Sequence, residues 1–466
     1  MDPTAPPILF EVNLPAEWNG KTLQMGGGGF DGTLVTGLLA PTGTRAGSPT
    51  PLAEGYVTLG SDSGHESRFV FDASFALNAE AFHNFGGDQI KKTHDVALAI
   101  IRRYYHRGPS HSYFIGGSQG GHEGLIAVQR FPHDYDGVVS LFPAYNLALL
   151  HLGANAFAKA LYANGGAGWL DPQKVTLLQN ALYSSCDALD GASDGIISNL
   201  AGCERTFKIS RLRCAGGLDS GDGCLSDAQI AAVEKIASPF RVDFPLPDGQ
   251  QIFPRWTILE GAKFLRGFGG QWALGQSRVP AHPPARSDAL QYLIADTTVR
   301  YIFTDNLSID SIDNFNPDDY RQRIISAAQV LDNANPDIAA FRDHGGKLIL
   351  LHGTADELIT PYNTVDYYRR LLDRFDQSVL DRFVRFYLVP GYGHGVGIFD
   401  ARWDPLDVLD AWVTRNRAPG TLIATDGNPG EHRARPLCRF PGWPQYNGSG
   451  DLNAAASFHC VRSQGG

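Results

Sequence analysis

At 466 residues the chain is long enough for one large domain with an insertion or for two domains, and its 43% hydrophobic and 19% charged content is that of a globular protein. A formal net charge of -10 at pH 7 argues against nucleic acid as a partner, because phosphate binding needs basic patches. No run of about 18 apolar residues occurs, which excludes a membrane-spanning helix.

The first third of the chain alternates apolar runs with helical patterns, which predicts a mostly parallel sheet. Strands are predicted at residues 8–14, 21–25, 55–60, 113–115 and 137–142. Apolar residues at helical spacing predict helices over 88–105 and 123–128. Four glycines, Gly26 to Gly29, follow the second strand.

The pentapeptide Gly116-Gly117-Ser118-Gln119-Gly120 lies between a predicted strand and a predicted helix. Strand, G-x-S-x-G and helix form the layout of a nucleophile elbow, which exposes the serine Oγ at the top of a sheet. The flanking residues must be glycine, because a Cβ there would collide with the neighbouring strand or helix. Ser118 is therefore the candidate nucleophile.

The pattern changes after about residue 145, where helical segments, acidic turns and cysteines replace the strands. Strand character returns at 347–351 and 384–389, with a helix predicted over 364–375 between them. The sequence thus predicts an α/β core interrupted by one insertion. The core comprises residues 1–145 and 343–466, and the insertion is residues 146–342.

Two residues after the insertion complete a catalytic triad in the order serine, acid, histidine. Asp356 follows one late strand and His394 follows the next. A serine hydroxyl is a weak nucleophile until a base accepts its proton, and a carboxylate must hold that base in one tautomer. Asp356 could be an ordinary turn acid and His394 one of 14 histidines, but their shared order and strand context favour catalysis. His352 and His122 rank lower.

The developing oxyanion needs hydrogen-bond donors. The backbone N–H of Gln119, next to the nucleophile, is the expected first donor, and the glycine run after the second strand supplies the other, from Gly27 or Gly28. Such a run can also bind phosphate, but the G-x-G-x-x-G pattern before a helix is not met here.

The six cysteines form two clusters, four in the insertion and two near the end: Cys186, Cys203, Cys214, Cys224, Cys438 and Cys460. Local disulfides are the simplest interpretation and indicate an oxidising compartment. Six unrelated thiols are the alternative, and zinc is disfavoured because no C-x-x-C spacing occurs. We therefore expect a secreted or periplasmic protein, with a signal peptide that this sequence does not carry.

With these motifs, the chain resembles the tannase and feruloyl esterase family of serine esterases, which includes a terephthalate monoester hydrolase. The matching stretches are residues 14–20, 26–30, 61–65, 116–120, 131–137, 345–356, 390–394 and 435–460. The resemblance implies an α/β-hydrolase fold capped by a large inserted lid domain. It also implies hydrolysis of a small-molecule ester, usually of an aromatic carboxylic acid.

The resemblance further implies a structural Ca²⁺ loop in the lid, with carboxylates from Asp187, Asp190 and Asp194 and carbonyls from Ala192 and Ile196. Several oxygens from one tight acidic loop suit a hard cation, although a solvated acidic turn is the alternative. The implied disulfides are Cys186–Cys203, Cys214–Cys224 and Cys438–Cys460. One departure is that Gly117 and Gly395 stand where the family has a linked cysteine pair, so packing and the Asp356 hydrogen bond must hold Ser118 and His394.

The sequence therefore predicts a carboxylic ester hydrolase that works through an acyl-enzyme. A polyester oligomer or terephthalate monoester hydrolase and an acyltransferase are alternatives on the same triad, and a non-catalytic binding protein is a third. The lid is expected to supply the pocket walls, with candidates Trp256, Phe264, Phe268, Trp272, Tyr301, Phe303, Arg255, Arg266 and Arg300.

Overall fold

The computed structural model describes residues 4–67, 69–264 and 273–462. Its strands are β1 (Phe10–Asn13), β2 (Lys21–Met25), β3 (Val57–Ser61), β4 (His111–Gly117), β5 (Gly137–Leu141), β6 (Phe240–Arg241), β7 (Ile252–Phe253), β8 (Lys347–Gly353), β9 (Val384–Val389), β10 (Ala401–Arg402), β11 (Leu422–Asp426), β12 (Ala434–Leu437), β13 (Gly442–Tyr446) and β14 (Phe458–Arg462). Seven of them form the central sheet in the order β1-β3-β2-β4-β5-β8-β9. β1 is antiparallel to β3, and all other neighbours are parallel. The predicted α/β core is confirmed.

The α-helices of the described chain are α1 (Ala79–His83), α2 (Gln89–Tyr105), α3 (Gln119–Arg130), α4 (Leu147–Gly166), α5 (Pro172–Cys186), α6 (Leu200–Thr206), α7 (Asp227–Ile236), α8 (Leu290–Thr298), α9 (Arg321–Leu331), α10 (Ala339–Asp343), α11 (Pro361–Arg374), α12 (Gln377–Leu380) and α13 (Pro405–Arg415). None of these described helices is both long and apolar enough to cross a membrane.

Both faces of the sheet are buried, which is why its central strands are continuous apolar runs. Side chains alternate between the faces because the strand repeat is two residues. Phe114 and Leu348 belong to the apolar core on one face, whereas Ile115 and Ile349 belong to the core on the other. Helices cover each face, with α3 on the first side and Trp412 of α13 packing on the second.

The insertion lies between β5 and β8 and contributes no strand to the central sheet in the part that the structure describes. It holds helices α4 to α9 and the short β6–β7 hairpin around a large apolar core. That core also takes in Phe30 and Phe71 from loops of the α/β core. The insertion is therefore packed directly over the loops at one edge of the sheet.

The three disulfides have the predicted pairing. Their Cα atoms are 5.0 Å apart in Cys186–Cys203, 4.9 Å in Cys214–Cys224 and 5.6 Å in Cys438–Cys460. Two of the bridges close short loops in the insertion. The third joins the segment after β12 to β14.

Candidate active site

Ser118 occupies a strained turn between β4 and α3. Its backbone angles are φ 62° and ψ -121°, a conformation that is uncommon for a residue with a side chain and recurs at functional sites. The helix begins at Gln119, four residues earlier than the sequence pattern predicts, so the turn is as tight as an elbow requires. A Cβ on Gly116 would lie 2.3 Å from the backbone of Gly120, which explains the glycine there.

His394 and Asp356 are joined in the loops that follow β9 and β8. His394 Nδ1 lies 3.0 Å from Asp356 Oδ2, and both side chains are buried. The other carboxylate oxygen of Asp356 accepts the backbone N–H groups of Leu358 and Ile359, each at 2.9 Å. The acid is thus fixed by the turn in which it lies and holds one nitrogen of the imidazole.

Burial and charge shift the pKa values of Asp356 and His394 in opposite directions. Burial alone would raise the pKa of Asp356, but the His394 charge and the hydrogen bonds from His352 and His394 hold it well below its usual range. Burial would lower the pKa of His394, but the Asp356 carboxylate raises it above the usual value. Asp356 is therefore ionised, and His394 binds a proton more readily than a free imidazole.

The two lower-ranked histidines have structural contacts. His352 is fully buried, with Nδ1 2.7 Å from Thr364 Oγ1 and Nε2 3.3 Å from Asp356 Oδ2. His352 therefore helps to hold the Asp356 carboxylate in place. Asn333 Nδ2 donates to His122 Nε2 at 3.0 Å, and burial lowers the pKa of His122 to about 3. Neither ring lines the cavity that Ser118 faces.

Ser118 and His394 line one cavity of about 730 Å³. Its remaining described walls come from the glycine loop, residues 33–42 and a few apolar side chains, namely Met25, Val70, Phe71, Ile115, Leu141, Phe142, Leu358 and Val396. Apart from His394, none of these described lining residues has an ionisable side chain. In the part of the chain that the structure describes, the cavity is mostly apolar and His394 is its one ionisable side chain.

The lid side chains expected as pocket walls lie elsewhere. The described aromatic candidates pack in or against the apolar core of the lid: Trp256, Phe264, Tyr301 and Phe303. Arg255 pairs with Glu260 at 2.7 Å and Arg300 with Asp296 at 3.6 Å, so both guanidinium groups are engaged within the protein. Phe268, Trp272 and Arg266 lie outside the described residues. Loops of the α/β core, rather than these lid residues, form most of the described cavity.

The lid does contribute to a second, smaller cavity beside Ser118. Its lid residues are Leu147, Leu150, His151, Gln291 and Ile294. The side-chain amide of Gln119 is buried next to it and has no hydrogen-bond partner among the described residues. The space on this side of the nucleophile is therefore apolar, with a few polar groups at its wall.

Backbone contacts distinguish among the candidate oxyanion donors. Gln119 is the first residue of α3, so helix bonds do not use its N–H. The Gly27 N–H donates to Glu123 Oε2 at 3.0 Å and is already engaged. Gly28 lines the cavity, and its N–H has no acceptor among the described residues. Of the two predicted glycines, Gly28 is therefore the remaining candidate donor.

Phe142 occupies the space between the serine and histidine loops. A Cβ on Gly117 would lie 2.7 Å from the Phe142 ring, and a Cβ on Gly395 would lie 3.5 Å from its Cζ. These are the two glycines for which the family resemblance implies a linked cysteine pair in relatives. The Phe142 ring therefore packs between the serine loop and the histidine loop. No sequence motif indicated this contact.

The acidic loop of the lid is tightly turned, with positive φ at Gly191 and Gly195. Each of its carboxylates accepts a backbone N–H of the loop: Asp187 from Gly195 at 2.9 Å, Asp190 from Ala192 at 3.0 Å and Asp194 from Ile196 at 3.0 Å. Arg435 pairs with Asp194. Three carboxylates and the loop carbonyls form an all-oxygen donor set, which is chemically suited to Ca²⁺.

A different group has the side-chain spacing of a metal site. The ligand atoms of His94, Asp95 and Asp134 lie within 4.8 Å of one another, a spacing that the three carboxylates of the lid loop do not meet in the described chain. Lys91 Nζ lies 2.6 Å from Asp95 and 3.2 Å from Asp134. One ammonium group therefore already pairs with both carboxylates.

Comparison with known proteins shows the family of this chain. The family described as tannase and feruloyl esterase matches residues 1–461. An uncharacterized esterase of Agrobacterium fabrum is 36% identical over 99% of this chain and 84% of its own length. The mono(2-hydroxyethyl) terephthalate hydrolase of Piscinibacter sakaiensis is 31% identical over 97% of this chain and 81% of its own length.

Solved structures show the same architecture. Feruloyl esterase B of Aspergillus oryzae superposes with a TM-score of 0.80 at 25% identity, over 97% of this chain and 88% of that one. The tannin acyl hydrolase of Aspergillus niger has a TM-score of 0.73 at 22% identity, over 98% of this chain and 84% of that one, and indicates the fold. The mostly parallel sheet with its covering helices is thus an α/β-hydrolase fold. The chain is a carboxylic ester hydrolase and belongs to the tannase and feruloyl esterase family.

Proposed function

We propose that this hydrolase cleaves uncharged esters of aromatic carboxylic acids through an acyl-enzyme formed on Ser118. One observation carries the proposal. Ser118 and His394 open into the same cavity, and His394 is held at 3.0 Å by the buried carboxylate of Asp356. Nucleophile, base and orienting acid are the three parts of a serine esterase triad.

The chemistry follows from these positions. His394 accepts the Ser118 hydroxyl proton as the oxygen attacks the ester carbonyl, and Asp356 stabilises the resulting imidazolium without itself being protonated. The N–H groups of Gln119 and Gly28 hold the oxyanion. His394 then protonates the leaving alcohol, and in the second half it activates the water that releases the acid.

The cavity lining favours an apolar, uncharged substrate. An aromatic ring gains from burial against Leu, Val and Phe side chains. An ionised carboxylate would lose its hydration without meeting a cationic partner among the described lining residues. Terephthalate monoesters, which carry such a carboxylate, therefore rank below neutral aromatic esters.

The test replaces Ser118 by alanine and measures hydrolysis of a panel of gallate, ferulate, benzoate, terephthalate monoester and short aliphatic esters. Wild-type protein is expected to turn over the neutral aromatic esters and to be labelled by a fluorophosphonate probe, and S118A is expected to do neither. Ser185→Ala, on the lid helix α5, is the matched control. Turnover by S118A comparable with that of wild type would remove Ser118 from the mechanism. Transfer of the acyl group to an added alcohol would indicate an acyltransferase.

We also propose that the acidic lid loop binds a structural Ca²⁺. The donors would be the carboxylates of Asp187, Asp190 and Asp194 and the carbonyls of Ala192 and Ile196. Positive φ at Gly191 and Gly195 turns the backbone of this short segment, which keeps its three carboxylates within one loop. The ion would stabilise the lid and take no part in the hydrolytic steps.

We propose secretion or a periplasmic location for the mature protein. Three formed disulfides support this location, because such bonds persist in oxidising compartments. Fractionation of the native host with an antibody tests it, and a protein confined to the reducing cytosol would contradict it.

A further inference from the structure

Two buried carboxyl groups lie directly beneath the glycine loop that supplies the oxyanion donor. Asp31 is 4% exposed and Glu123 is 2% exposed. Both carboxyl groups lie against Gly27, since Glu123 accepts its backbone N–H and Asp31 fills the space where a Cβ would be. Two ionised carboxylates buried this close together would repel each other. Burial and proximity therefore favour a state in which the pair keeps at least one proton.

The pair also holds the loop itself. Glu123 Oε2 accepts the Gly27 N–H at 3.0 Å. A Cβ on Gly26 would lie 2.6 Å from Glu123 Oε2, and a Cβ on Gly27 would lie 2.1 Å from Asp31 Oδ2. The two carboxyl groups are thus pressed against consecutive residues of the loop. Both positions must be glycine because the acids fill the space beside them.

The surroundings of the pair are polar but contain no counter-charge. Gln89 Nε2 donates to Glu123 Oε1 at 2.7 Å, and Ser61 Oγ donates to Gln89 Oε1 at 2.6 Å. No Lys or Arg of the described chain is ion-paired with either carboxyl.

The other titratable groups that face the site do not offset its charge. They are Asp62, His65 and Tyr135. Burial lowers the pKa of His65 and raises that of Tyr135, so both rings stay neutral near pH 7. Burial likewise raises the pKa of Asp31 to about 7 and that of Glu123 well above its usual value.

We propose that Asp31 and Glu123 share a proton and act as positioning residues, holding the glycine loop so that the Gly28 N–H points at the oxyanion. Glu123 fixes the loop by accepting the Gly27 N–H, and Asp31 holds Glu123 in place through the shared proton. Loss of that proton leaves two buried carboxylates that repel each other, which displaces the loop. The inference rests on the proposed esterase function, because it explains how the oxyanion donor of that esterase is held in position.

The experiment compares Asp31→Asn with Asp31→Ala. The asparagine amide can still donate to Glu123, so D31N is expected to keep kcat within about threefold of wild type. D31A loses the donor, and its kcat is expected to fall by up to about 100-fold, the effect of losing one oxyanion donor, with KM nearly unchanged. A merely structural role would not give this rescue by the isosteric amide or confine the loss to kcat.

The pH profile is the second measurement. Wild-type activity is expected to fall at alkaline pH as the pair loses its last proton, whereas D31N has no such proton and should keep its activity there. Equal alkaline limbs in wild type and D31N would overturn the proposal. A D31A variant with the kcat of wild type would also overturn the proposal.

Thermal stability gives a readout that does not depend on hydrolysis. Because the folded pKa of Asp31 lies above its ordinary value of 3.8, its stabilising contribution is complete below pH 3.8 and is lost as pH rises to about 7. The Tm of wild type relative to D31N should therefore fall across this range.

Asp332→Asn, which changes a buried carboxyl group elsewhere, is the matched control and should leave the alkaline limb of the activity profile unchanged. If wild type itself hydrolyses no ester, the proposed function fails, while the Tm comparison still tests the pair.

Discussion

The Phe142 ring packs against the His394 imidazole, with ring centroids 4.7 Å apart and planes inclined by 56°. The same ring lies where a side chain on Gly117, the neighbour of the nucleophile, would have to be. One phenyl group therefore contacts both the loop that carries the serine and the loop that carries the base. Apolar packing at this point connects the two loops.

This relationship predicts that Phe142→Ala impairs catalysis as well as folding. Removing the ring leaves a cavity that lowers the free energy of unfolding by about 3–5 kcal/mol. It also frees the His394 ring, and misplacing a catalytic group by about 1 Å costs on the order of 100-fold in rate. We expect kcat to fall by about 10–100-fold at a temperature where the variant is still folded.

The matched control for this variant is Phe303→Ala, which removes a fully buried ring from the lid core. It should lower the Tm to a similar extent and leave kcat close to that of wild type. Chemical denaturation and steady-state kinetics on the same preparations measure both quantities. An unchanged kcat in the folded F142A protein would show that the ring does not position His394.

The Asp356–His394 pair predicts the acid side of the pH profile. His394 acts as a base only when neutral, so kcat/KM should rise with pH as its proton leaves. Asp356 raises the pKa of His394, so the midpoint should lie above 6.5, the ordinary histidine value. A midpoint at or below 6.5 would contradict the assigned pair.

Asp356→Asn should then lower kcat by about 10⁴-fold, because the imidazole loses the tautomer and orientation that the carboxylate imposes. The remaining activity should titrate at lower pH than that of wild type. Burial, which favours the neutral ring, is then no longer opposed by the carboxylate. Glu357→Gln, at the adjacent position, is a control for loss of a carboxylate without loss of the triad acid.

The sequence predicted those parts of the site whose chemistry is carried by local pattern. Ser118 is marked by its glycines, and Asp356 and His394 by their places after strands, so each could be found within a few residues of chain. The sheet followed from the apolar runs, and the disulfide pairs were implied by the family resemblance.

The remainder depends on contacts between distant segments. Phe142 lies 252 residues from His394, and Asp31 lies 92 residues from Glu123, so no window of sequence contains both partners. The lid aromatics were proposed as pocket walls from residue type alone. Folding instead buries them in the lid core, since a large insertion needs apolar side chains for its own stability.

The uncharged cavity predicts that a single cation should change substrate preference. Val396 lines the cavity and is 58% exposed, so a longer side chain can be accommodated there. Val396→Arg is expected to lower KM for a terephthalate monoester relative to a neutral benzoate ester by about tenfold, the effect of about 1.4 kcal/mol from one partly exposed charged contact.

Val396→Gln, with similar length and no charge, is the control and should leave the ratio of the two kcat/KM values near that of wild type. The gain of V396R should also shrink at high salt, because an exposed charge pair is screened. An unchanged ratio in V396R would mean that the carboxylate end of the substrate does not reach this wall.

The acidic lid loop predicts that Ca²⁺ raises the Tm without changing the chemistry at Ser118. An ion that binds only the folded state stabilises it by about 2.7 kcal/mol when its concentration is 100 times Kd. Calcium chloride should therefore raise the Tm and a chelator should lower it. Asp190→Asn, which removes a buried carboxylate of the loop, should abolish the response, whereas Asp222→Asn, exposed in the lid, should retain it. The loop lies away from the lining of the cavity at Ser118, so kcat of the folded enzyme should be the same with and without the ion. If calcium does not change the Tm of the wild-type protein, the loop is an acidic turn held by Arg435 and by its own backbone.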